Sequence, residues 1–338
     1  MRRLSILAAL AAAAWVPSAL AQTQFNIRFQ QGTTVQVLTD GATVTFNSDG
    51  IGQASPSTLT LTYRGTTTAS VNTLDVTGST DFSATSGLAL PFTMNPNDNA
   101  SFGITFNPTA TGRHTARLAI NFNEGTRGGT IAINLVGVLP DFGFAYTLPR
   151  GNQTFLPADG AIPFPNTNLG QTTAAAFTIT NRGTGPGTVN NIAIGGAPVF
   201  TLAGVPLLPA TVQAGASLAV TVNFVPTHLE AANATITVEF VGRSQTAHVS
   251  GTGIGPAYAY QFVAGSSTSD VAANATLTLP GANVGERTTA VVRVRNTGNG
   301  DGVLANIRAT GAEFTLTDLP FLPLTRSEER RVGKECRL

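Results

Sequence analysis

The stretch SLAVTVNFVP, residues 217–226, places an apolar side chain at every second position. These side chains belong to Leu218, Val220, Val222 and Phe224. A period of two is the pattern of a β-strand with one buried face. The same alternation recurs in 102–106, 118–122 and 236–240. Turn-forming stretches separate such runs: EGTRGG (124–129), NRGTGPG (181–187), VGRSQ (241–245) and NTGNGDG (296–302). Since no long segment after the N-terminal stretch has a helical apolar period, the chain is predicted to be all-β.

Internal similarity predicts three consecutive modules. NLGQTTAA (168–175) matches NVGERTTA (283–290) at an offset of 115 residues, and FTLAGVPLLP (200–209) matches FTLTDLPFLP (314–323). An earlier, more diverged copy aligns FNP at 106–108 with FVP at 224–226. Self-similarity at a fixed period indicates a repeat architecture. The predicted modules are 22–139, 140–255 and 256–325, and the third stops before the counterparts of the last three strands of the second.

Each complete module is predicted to be an immunoglobulin-like, seven-stranded β-sandwich. About 115 residues with seven short strands and regularly spaced turns suit that architecture, and a jelly roll is the alternative. In the second module the predicted strands lie near 161–165, 174–181, 188–194, 199–203, 217–225, 234–241 and 245–251.

The N-terminal stretch MRRLSILAALAAAAWVPSALA, residues 1–21, has the pattern of a secretory signal peptide. Arg2 and Arg3 precede an apolar run, and Ala19-Leu20-Ala21 forms a small-x-small cleavage site. We therefore expect an exported protein whose mature form begins at Gln22. No later stretch is long and apolar enough to predict a transmembrane segment.

The predicted mature body, residues 22–325, is weakly acidic and contains no cysteine. It carries 12 arginines, no lysine and 15 acidic residues, a net charge of −3. A body of this charge has no basic patch for nucleic acid or an anionic membrane. Because disulfides are absent, each module must be stabilised by its apolar core.

The stretch FNPTATGRHTARLAI, residues 106–120, resembles the F-x-P-x-x-x-G-x-x-x-A-x-L-x-I pattern of bacterial choice-of-anchor D modules, within the ASH or hydin-like immunoglobulin-like superfamily. FTITNRGTGPGTVNNIAIGG (177–196) and VQAGASLAVTVNFVP (212–226) are also similar to that family. In the second module Glu230 replaces the turn glycine. The resemblance implies export, with surface or periplasmic placement, and no catalytic residues.

The C-terminal stretch RSEERRVGKECRL, residues 326–338, differs in composition from the rest. Eight of its 13 residues are charged, and it holds the chain's one lysine and one cysteine, Lys334 and Cys336. It resembles translated sequencing-adapter read-through, so we expect a non-native tail and a natural protein that continues beyond Thr325. The alternatives are a solvated terminus and the charged end of a sorting signal.

The residues that could carry chemistry form no catalytic or metal-binding motif. His114, His228 and His248 are far apart in the sequence, and no G-x-S-x-G stretch occurs. GNGDG (298–302) could offer oxygen ligands to calcium, but its repeat partner GTGPG (183–187) has no carboxylate, which favours a turn in both copies. We therefore expect no enzymatic activity and no cofactor.

Aromatic runs open the second and third modules and supply the candidate ligand contacts. FGFAY (142–146) and YAYQF (258–262) align Phe144 with Tyr258 and Tyr146 with Tyr260. If exposed, these rings could stack on sugars. The favoured interpretation is that each run is a first strand that packs within its own sandwich and against the preceding module.

The sequence as a whole predicts a secreted, non-catalytic scaffold or adhesion-type protein of the cell surface or periplasm. Its partners would be other surface proteins or glycans. The alternatives are a carbohydrate- or protein-binding module, or the non-catalytic part of a larger secreted enzyme.

We predict that the mature body binds neither nucleic acid nor transition metals. Its net charge is −3, and its histidines are scattered along the chain. A gel-shift titration with DNA and a zinc assay after dialysis measure this. A salt-dependent DNA shift, or zinc retained in stoichiometric amount, would contradict the prediction.

Overall fold

The computed structural model describes residues 24–326 and the pair 336–337. Every helix or strand assigned within these residues is a β-strand. In this part of the chain there is accordingly no helix that could cross a membrane. The predicted signal peptide lies outside the described residues, as does the predicted tail apart from Arg326 and Cys336–Arg337.

Contacts divide the chain into two compact units. The first comprises the residues up to Phe142 together with Asn181–Thr188 and Thr211–Ala216. The second comprises Gly143–Thr180, Val189–Ala210 and the residues from Ser217 onwards. Two segments that are distant in sequence thus belong with the first unit, and their contacts there define the site described below.

Residues 25–138 form the first sandwich. Its strands are β1 (Phe25–Gln31), β2 (Thr34–Leu38), β3 (Thr43–Asn47), β4 (Ser55–Tyr63), β5 (Ala69–Gly78), β6 (Phe82–Ser86), β7 (Phe92–Met94), β8 (Asn99–Phe106), β9 (His114–Glu124) and β10 (Arg127–Val138). One sheet has the order β2-β1-β4-β8-β6, and the other has the order β3-β10-β9-β5-β7. β3 pairs with β10 in parallel, and the other neighbouring strands in these two sheets pair in antiparallel fashion.

The inner faces of these two sheets form one apolar core, as their alternation requires. Side chains from both sheets belong to a single buried cluster. Within it, the ring of Phe46 lies 5.5 Å from that of Phe29 and 5.4 Å from that of Phe82 between centroids. The ring of Phe82 stacks on that of Phe106 at 4.8 Å. Aromatic packing at these distances adds to the free energy gained from burial alone.

Residues 142–254 form the second sandwich. Its strands are β11 (Phe142–Thr147), β12 (Thr154–Leu156), β13 (Ala161–Pro163), β14 (Thr167–Asn168), β15 (Thr173–Asn181), β16 (Gly187–Gly196), β17 (Phe200–Ala203), β18 (Ala210–Val212), β19 (Ser217–Phe224), β20 (Ala231–Phe240) and β21 (Arg243–Ile254). The sheet orders are β12-β11-β15-β19-β17 and β13-β21-β20-β16-β18, and β14 also pairs with β21.

The strand order confirms the prediction of tandem immunoglobulin-like sandwiches. Strand by strand, β11 to β13 and β15 to β21 repeat the pairing of β1 to β10. The seven strands predicted for the second module are all present, as is β11, predicted from the aromatic run FGFAY, and the structure adds β12, β14 and β18.

A glycine facing a phenylalanine recurs in both sandwiches. A Cβ atom on Gly137 would lie 2.3 Å from the ring of Phe106, and a Cβ atom on Gly251 would lie 2.7 Å from that of Phe224. Real Cβ contacts are not this short, so each ring occupies the space that a side chain would need. The F-x-P stretch of one sheet and the glycine of the other are thus matched in size.

The residues after the second sandwich form a smaller set of strands. They are β22 (Tyr258–Ala264), β23 (Ser267–Val271), β24 (Val291–Asn296), β25 (Gly302–Leu304), β26 (Leu324–Arg326) and β27 (Cys336–Arg337). The order β23-β22-β24-β27 repeats β12-β11-β15-β19, so the two residues of β27 lie where β19 lies in the second sandwich. β25 pairs with β26. Phe262 and Ala290 are the buried hydrophobic residues found between 256 and 325.

We predict that residues 256–325 are the least stable part of the chain. Their apolar side chains remain largely exposed, as Phe314 (53%) and Val303 (56%) show, so burial contributes little free energy. Limited proteolysis followed by mass spectrometry should show cleavage here at protease doses that leave residues 25–254 intact. Strong protection from hydrogen exchange across 290–316 in a verified monomer would contradict this.

Candidate functional site at the module junctions

The first junction is organised by the buried carboxamide of Asn181. This side chain is fully buried at the end of β15. Its Oδ1 accepts hydrogen bonds from the backbone N–H groups of Asp141 (3.1 Å) and Gly183 (3.0 Å). Its Nδ2 donates to the carbonyl oxygens of Gly185 and Val212, both at 2.9 Å. All four hydrogen-bonding positions of the carboxamide are therefore used.

The turn that follows Asn181 also binds the linker through its backbone. Arg182 N donates to Asp141 O (2.6 Å), and Thr184 N and Gly185 N both donate to Leu139 O (2.9 and 3.1 Å). We call the turn 181–187, with the linker segment 139–142 that it holds, the first clamp. Its contacts satisfy backbone groups that a buried linker would otherwise leave unpaired.

The three glycines of the clamp allow this close approach. A Cβ atom on Gly183 would lie 2.3 Å from Leu139 O. A Cβ atom on Gly187 would lie 2.4 Å from the Cβ of Pro140, and one on Gly185 would lie 2.9 Å from Val138 Cγ2. Larger residues at these positions would push the turn away from the linker.

The same arrangement recurs around Asn296, and we call the turn 296–302 with the linker 255–258 the second clamp. Asn296 Oδ1 accepts from Ala257 N (3.1 Å) and Gly298 N (3.0 Å), and Nδ2 donates to Gly300 O (2.8 Å). Thr297 N donates to Ala257 O, and Gly300 N to Gly255 O. A Cβ atom on Gly298 would lie 2.3 Å from Gly255 O. Residues 181–187 and 296–302 share the spacing N-x-G-x-G-x-G, which predicts a turn from the sequence alone.

The side chain of Asn299 forms two further hydrogen bonds in the second clamp, and its counterpart in the first clamp bonds a different part of the chain. Asn299 Oδ1 accepts from Gly255 N (3.0 Å), and its Nδ2 donates to Gly253 O (2.9 Å). In the first clamp the corresponding residue is Thr184, whose hydroxyl donates to Gly112 O (2.8 Å). The one side-chain amide oxygen in GNGDG, Oδ1 of Asn299, is thus engaged with a backbone N–H group. Among the described residues, no group of three or more His, Cys, Asp or Glu side chains is placed to hold a metal ion.

Each histidine has a local hydrogen-bond partner. His114 Nδ1 lies 2.6 Å from Oδ2 of the buried Asp81, and its Nε2 lies 3.1 Å from Ala110 O. His228 Nδ1 and His248 Nδ1 lie 2.9 and 3.2 Å from threonine hydroxyls. The structure does not bring the three imidazoles together in one cluster.

The candidate ligand-contact aromatics occupy different environments. Phe144 is fully buried, and its ring lies 5.0 Å from that of Phe177, so it is not accessible to a ligand. The run FGFAY forms strand β11 and packs within its own sandwich, as the favoured interpretation of the sequence has it, so Phe144 leaves the set of candidate ligand contacts. Tyr146 is partly buried in the same strand. Tyr258 and Tyr260 are 37% and 36% exposed.

The structure also shifts the alignment of the two aromatic runs by two residues. Tyr258 Oη faces Gly302 in the second clamp, as the ring of Phe142 faces Gly187 in the first. Tyr258 therefore corresponds to Phe142, and Tyr260 to Phe144. The two exposed tyrosines occupy positions whose counterparts in the second sandwich are buried.

The first sandwich has Tyr63 where the second has Asn181, at the end of its corresponding strand. The buried Tyr63 donates its hydroxyl to Glu124 Oε1 (2.5 Å), and Gln24 bonds the other carboxylate oxygen. Arg64 N donates to Gln24 O (2.6 Å), as Arg182 N does to the linker. The hydrogen bond from Tyr63 holds the pKa of Glu124 below its usual range, and burial raises the pKa of Tyr63.

Residues 160–253 match the family model of the HYDIN/CFA65/VesB-like, Ig-like domain. This match spans most of the second sandwich and supports membership of the immunoglobulin-like superfamily for that part of the chain. A comparison with curated protein sequences gives no match.

Several solved structures resemble the chain at low sequence identity. A structure of three titin immunoglobulin domains has a TM-score of 0.37 at 6% identity and covers 80% of this chain and 94% of its own. The ASH/PapD-like domain of human CEP192 has 0.27 at 17% identity, with 40% and 96% covered. The VesB protease of Vibrio cholerae has 0.26 at 12% identity, with 30% and 31% covered, so the chain spans about a third of that protein. At these identities, the similarity concerns the fold alone.

We predict that Asn181→Ala destabilises the chain by about 3 kcal/mol or more. The change leaves two buried N–H donors and two carbonyl acceptors without their partner, and each unsatisfied buried group costs about 1–3 kcal/mol. Urea unfolding measures the free energy. Asn191→Ala, an exposed position on β16, is the matched control and should have little effect. A loss no larger than that of the control would contradict the role of the carboxamide.

We predict that Gly183→Ala exposes the linker to protease, whereas Gly195→Ala does not. A methyl group at 183 collides with Leu139 O, but one at 195 has no atom within 4 Å. Cleavage near 139–142, mapped by mass spectrometry, measures the opening. Equal cleavage of both variants would show that the close approach of turn and linker is not required.

We predict that Glu124→Gln removes part of the dependence of stability on pH. Because the folded pKa of Glu124 is lowered, its contribution is present above the unfolded value of about 4.3 and is lost as pH falls through the folded pKa. Unfolding free energies of wild type and variant should therefore differ near neutrality and converge in acid. Asp49→Asn, in an exposed turn, is the control. A difference that is unchanged in acid would contradict the assignment.

Proposed function

We propose that this protein is a non-catalytic scaffold or adhesion-type protein, exported to the cell surface or periplasm, in which immunoglobulin-like modules are joined by clamped linkers. The observation that carries the proposal is the repetition of the clamp. Asn181 and Asn296 bind their linkers through the same backbone groups, although 115 residues separate them. A protein that holds successive modules together needs such a contact at each linker.

The finer family proposal is a choice-of-anchor D protein of the ASH or hydin-like superfamily. The family match over 160–253 supports the superfamily, and the stretch FNPTATGRHTARLAI supports the finer assignment. In the structure Phe106 of that stretch lies in the core, and Gly112 has a positive φ of 111°. A glycine suits that backbone conformation better than any other residue.

The contacts of two acidic side chains, Asp81 and Glu124, support a structural role for them. Asp81 accepts hydrogen bonds from Thr109 (2.8 Å) and binds His114, and these contacts hold the loop between β8 and β9. Glu124 binds Tyr63 within the first sandwich. These side chains stabilise the fold.

A localisation experiment tests the proposal. In intact native cells, added protease should remove the protein if it lies on the surface, or only after envelope permeabilisation if it is periplasmic. A Gly183→Leu variant should reach the same compartment and be cleaved within 139–142. Retention of the wild-type protein in the cytoplasm would overturn the proposal.

A second candidate function is glycan or protein binding through Tyr258 and Tyr260. Their exposure, 37% and 36%, favours it, since exposed rings can stack on a ligand. Binding to a glycan array that is lost in a Tyr258→Ala, Tyr260→Ala double variant would support this function. Unchanged binding would exclude these tyrosines.

A further inference from the structure

Two arginines without ion pairs lie on one outer face of the first sandwich. Arg113 directly precedes β9, Thr115 and Arg117 lie two and four residues further along the chain, and all three are exposed. Alternate residues of a strand project to the same side of the sheet. Neither arginine forms an ion pair with a carboxylate among residues 24–325. Each guanidinium therefore keeps its donors for another partner.

The strands beside β9 supply neutral polar groups to the same face. Arg117 lies directly between Thr77 of β5 and Asn134 of β10 in the sheet register. Asn134 in turn pairs with Thr43 of β3. All of these residues are exposed. Together with Arg113 and Thr115 they line one open depression, which contains no carboxylate.

Three acidic residues close to the lining strands have other partners, and one of them, Asp40, accepts a hydrogen bond from Ala132 N (2.7 Å). Asp75, two residues from Thr77 on the same strand, accepts hydrogen bonds from Thr73 (2.7 Å) and Asn121 (3.2 Å). Asp81 is buried and bound to His114 and Thr109. The lining itself carries two positive charges and no negative one, on a body whose net charge is −3.

We propose that this depression, bounded by Arg113 and Arg117, binds a carboxylated oligosaccharide. A guanidinium binds a carboxylate through two parallel hydrogen bonds, and threonine and asparagine side chains can bond sugar hydroxyls. The two arginines are four residues apart, so their Cα atoms are separated by up to about 14 Å. That spacing suits charges repeated along a chain better than the oxygens of one small anion.

A nucleic acid is the less suitable occupant. It carries a charge at every phosphate, and its binding proteins neutralise many of them with clustered cations. Here two cations stand in an acidic body, and no aromatic residue lines the depression to stack on a base. The site lies outside both clamps, so its failure would leave the scaffold proposal unchanged.

Titration of the full chain with oligogalacturonate, followed by calorimetry and backbone NMR, tests the proposal. We expect saturable binding that weakens as salt rises, with amide shifts centred on Thr77, Arg117 and Asn134. Arg113→Gln and Arg117→Gln should each lower the affinity about tenfold, as expected for the loss of one charge-assisted contact. The double variant should bind no better than a neutral oligogalactan binds to the wild type.

The control is Arg28→Gln, which removes an exposed arginine from β1 in the other sheet and should leave binding unchanged. Circular dichroism verifies that each variant is folded. The proposal is overturned if the wild type does not bind oligogalacturonate, if the double variant retains the affinity, or if Arg28→Gln abolishes it. Equal affinity for single-stranded DNA of the same charge would also overturn it, in favour of general polyanion binding.

Discussion

The first junction depends on a buried carboxamide that satisfies the backbone of a neighbouring linker, and the second depends on a half-buried one. A linker that packs against protein loses water from its N–H and C=O groups, and these must find new partners. Asparagine offers two donors and an acceptor with two lone pairs on a short side chain. At Asn181 this capacity is fully used, partly by the linker and partly by the turn itself. The side chain thereby fixes the turn and the linker at once.

The first sandwich shows what replaces this interaction where the chain before β1 enters. Tyr63 takes the place of the asparagine and reaches Glu124, which also binds Gln24. The backbone bond from the following residue is retained, from Arg64 to Gln24. Tyr63 and Asn181 thus have the same role, which is to hold the segment that precedes the first strand of a sandwich. Asn181 does so through its carboxamide, and Tyr63 does so through its hydrogen bond to the carboxylate of Glu124.

Strands with one buried face could be predicted from the sequence because their apolar residues alternate, whereas short strands could not. The seven predicted strands of the second sandwich include its longest ones, whose alternation is clear. β11 was predicted from its aromatic run FGFAY and not from alternation, because its first four residues are all buried, and β12, β14 and β18 have only two or three residues. The glycine spacing of the clamps was visible, but their partner, the linker 139–142, lies about 40 residues away in sequence. Periodicity carries no information about that contact.

Contacts in the core and in the first clamp explain two residues of the F-x-P-x-x-x-G stretch. Its phenylalanine, Phe106, packs on Gly137 in the core, and the carbonyl of its glycine, Gly112, accepts the hydroxyl of Thr184 in the first clamp. The second module has Glu230 at the glycine position, and there Glu230 O accepts from Gly253 N, while Asn299, at the position of Thr184, donates to Gly253 O. The departure from the family pattern is therefore accompanied by a different residue in the clamp. In the first module the carbonyl of Gly112 thus connects the F-x-P-x-x-x-G stretch to the turn that binds the following linker.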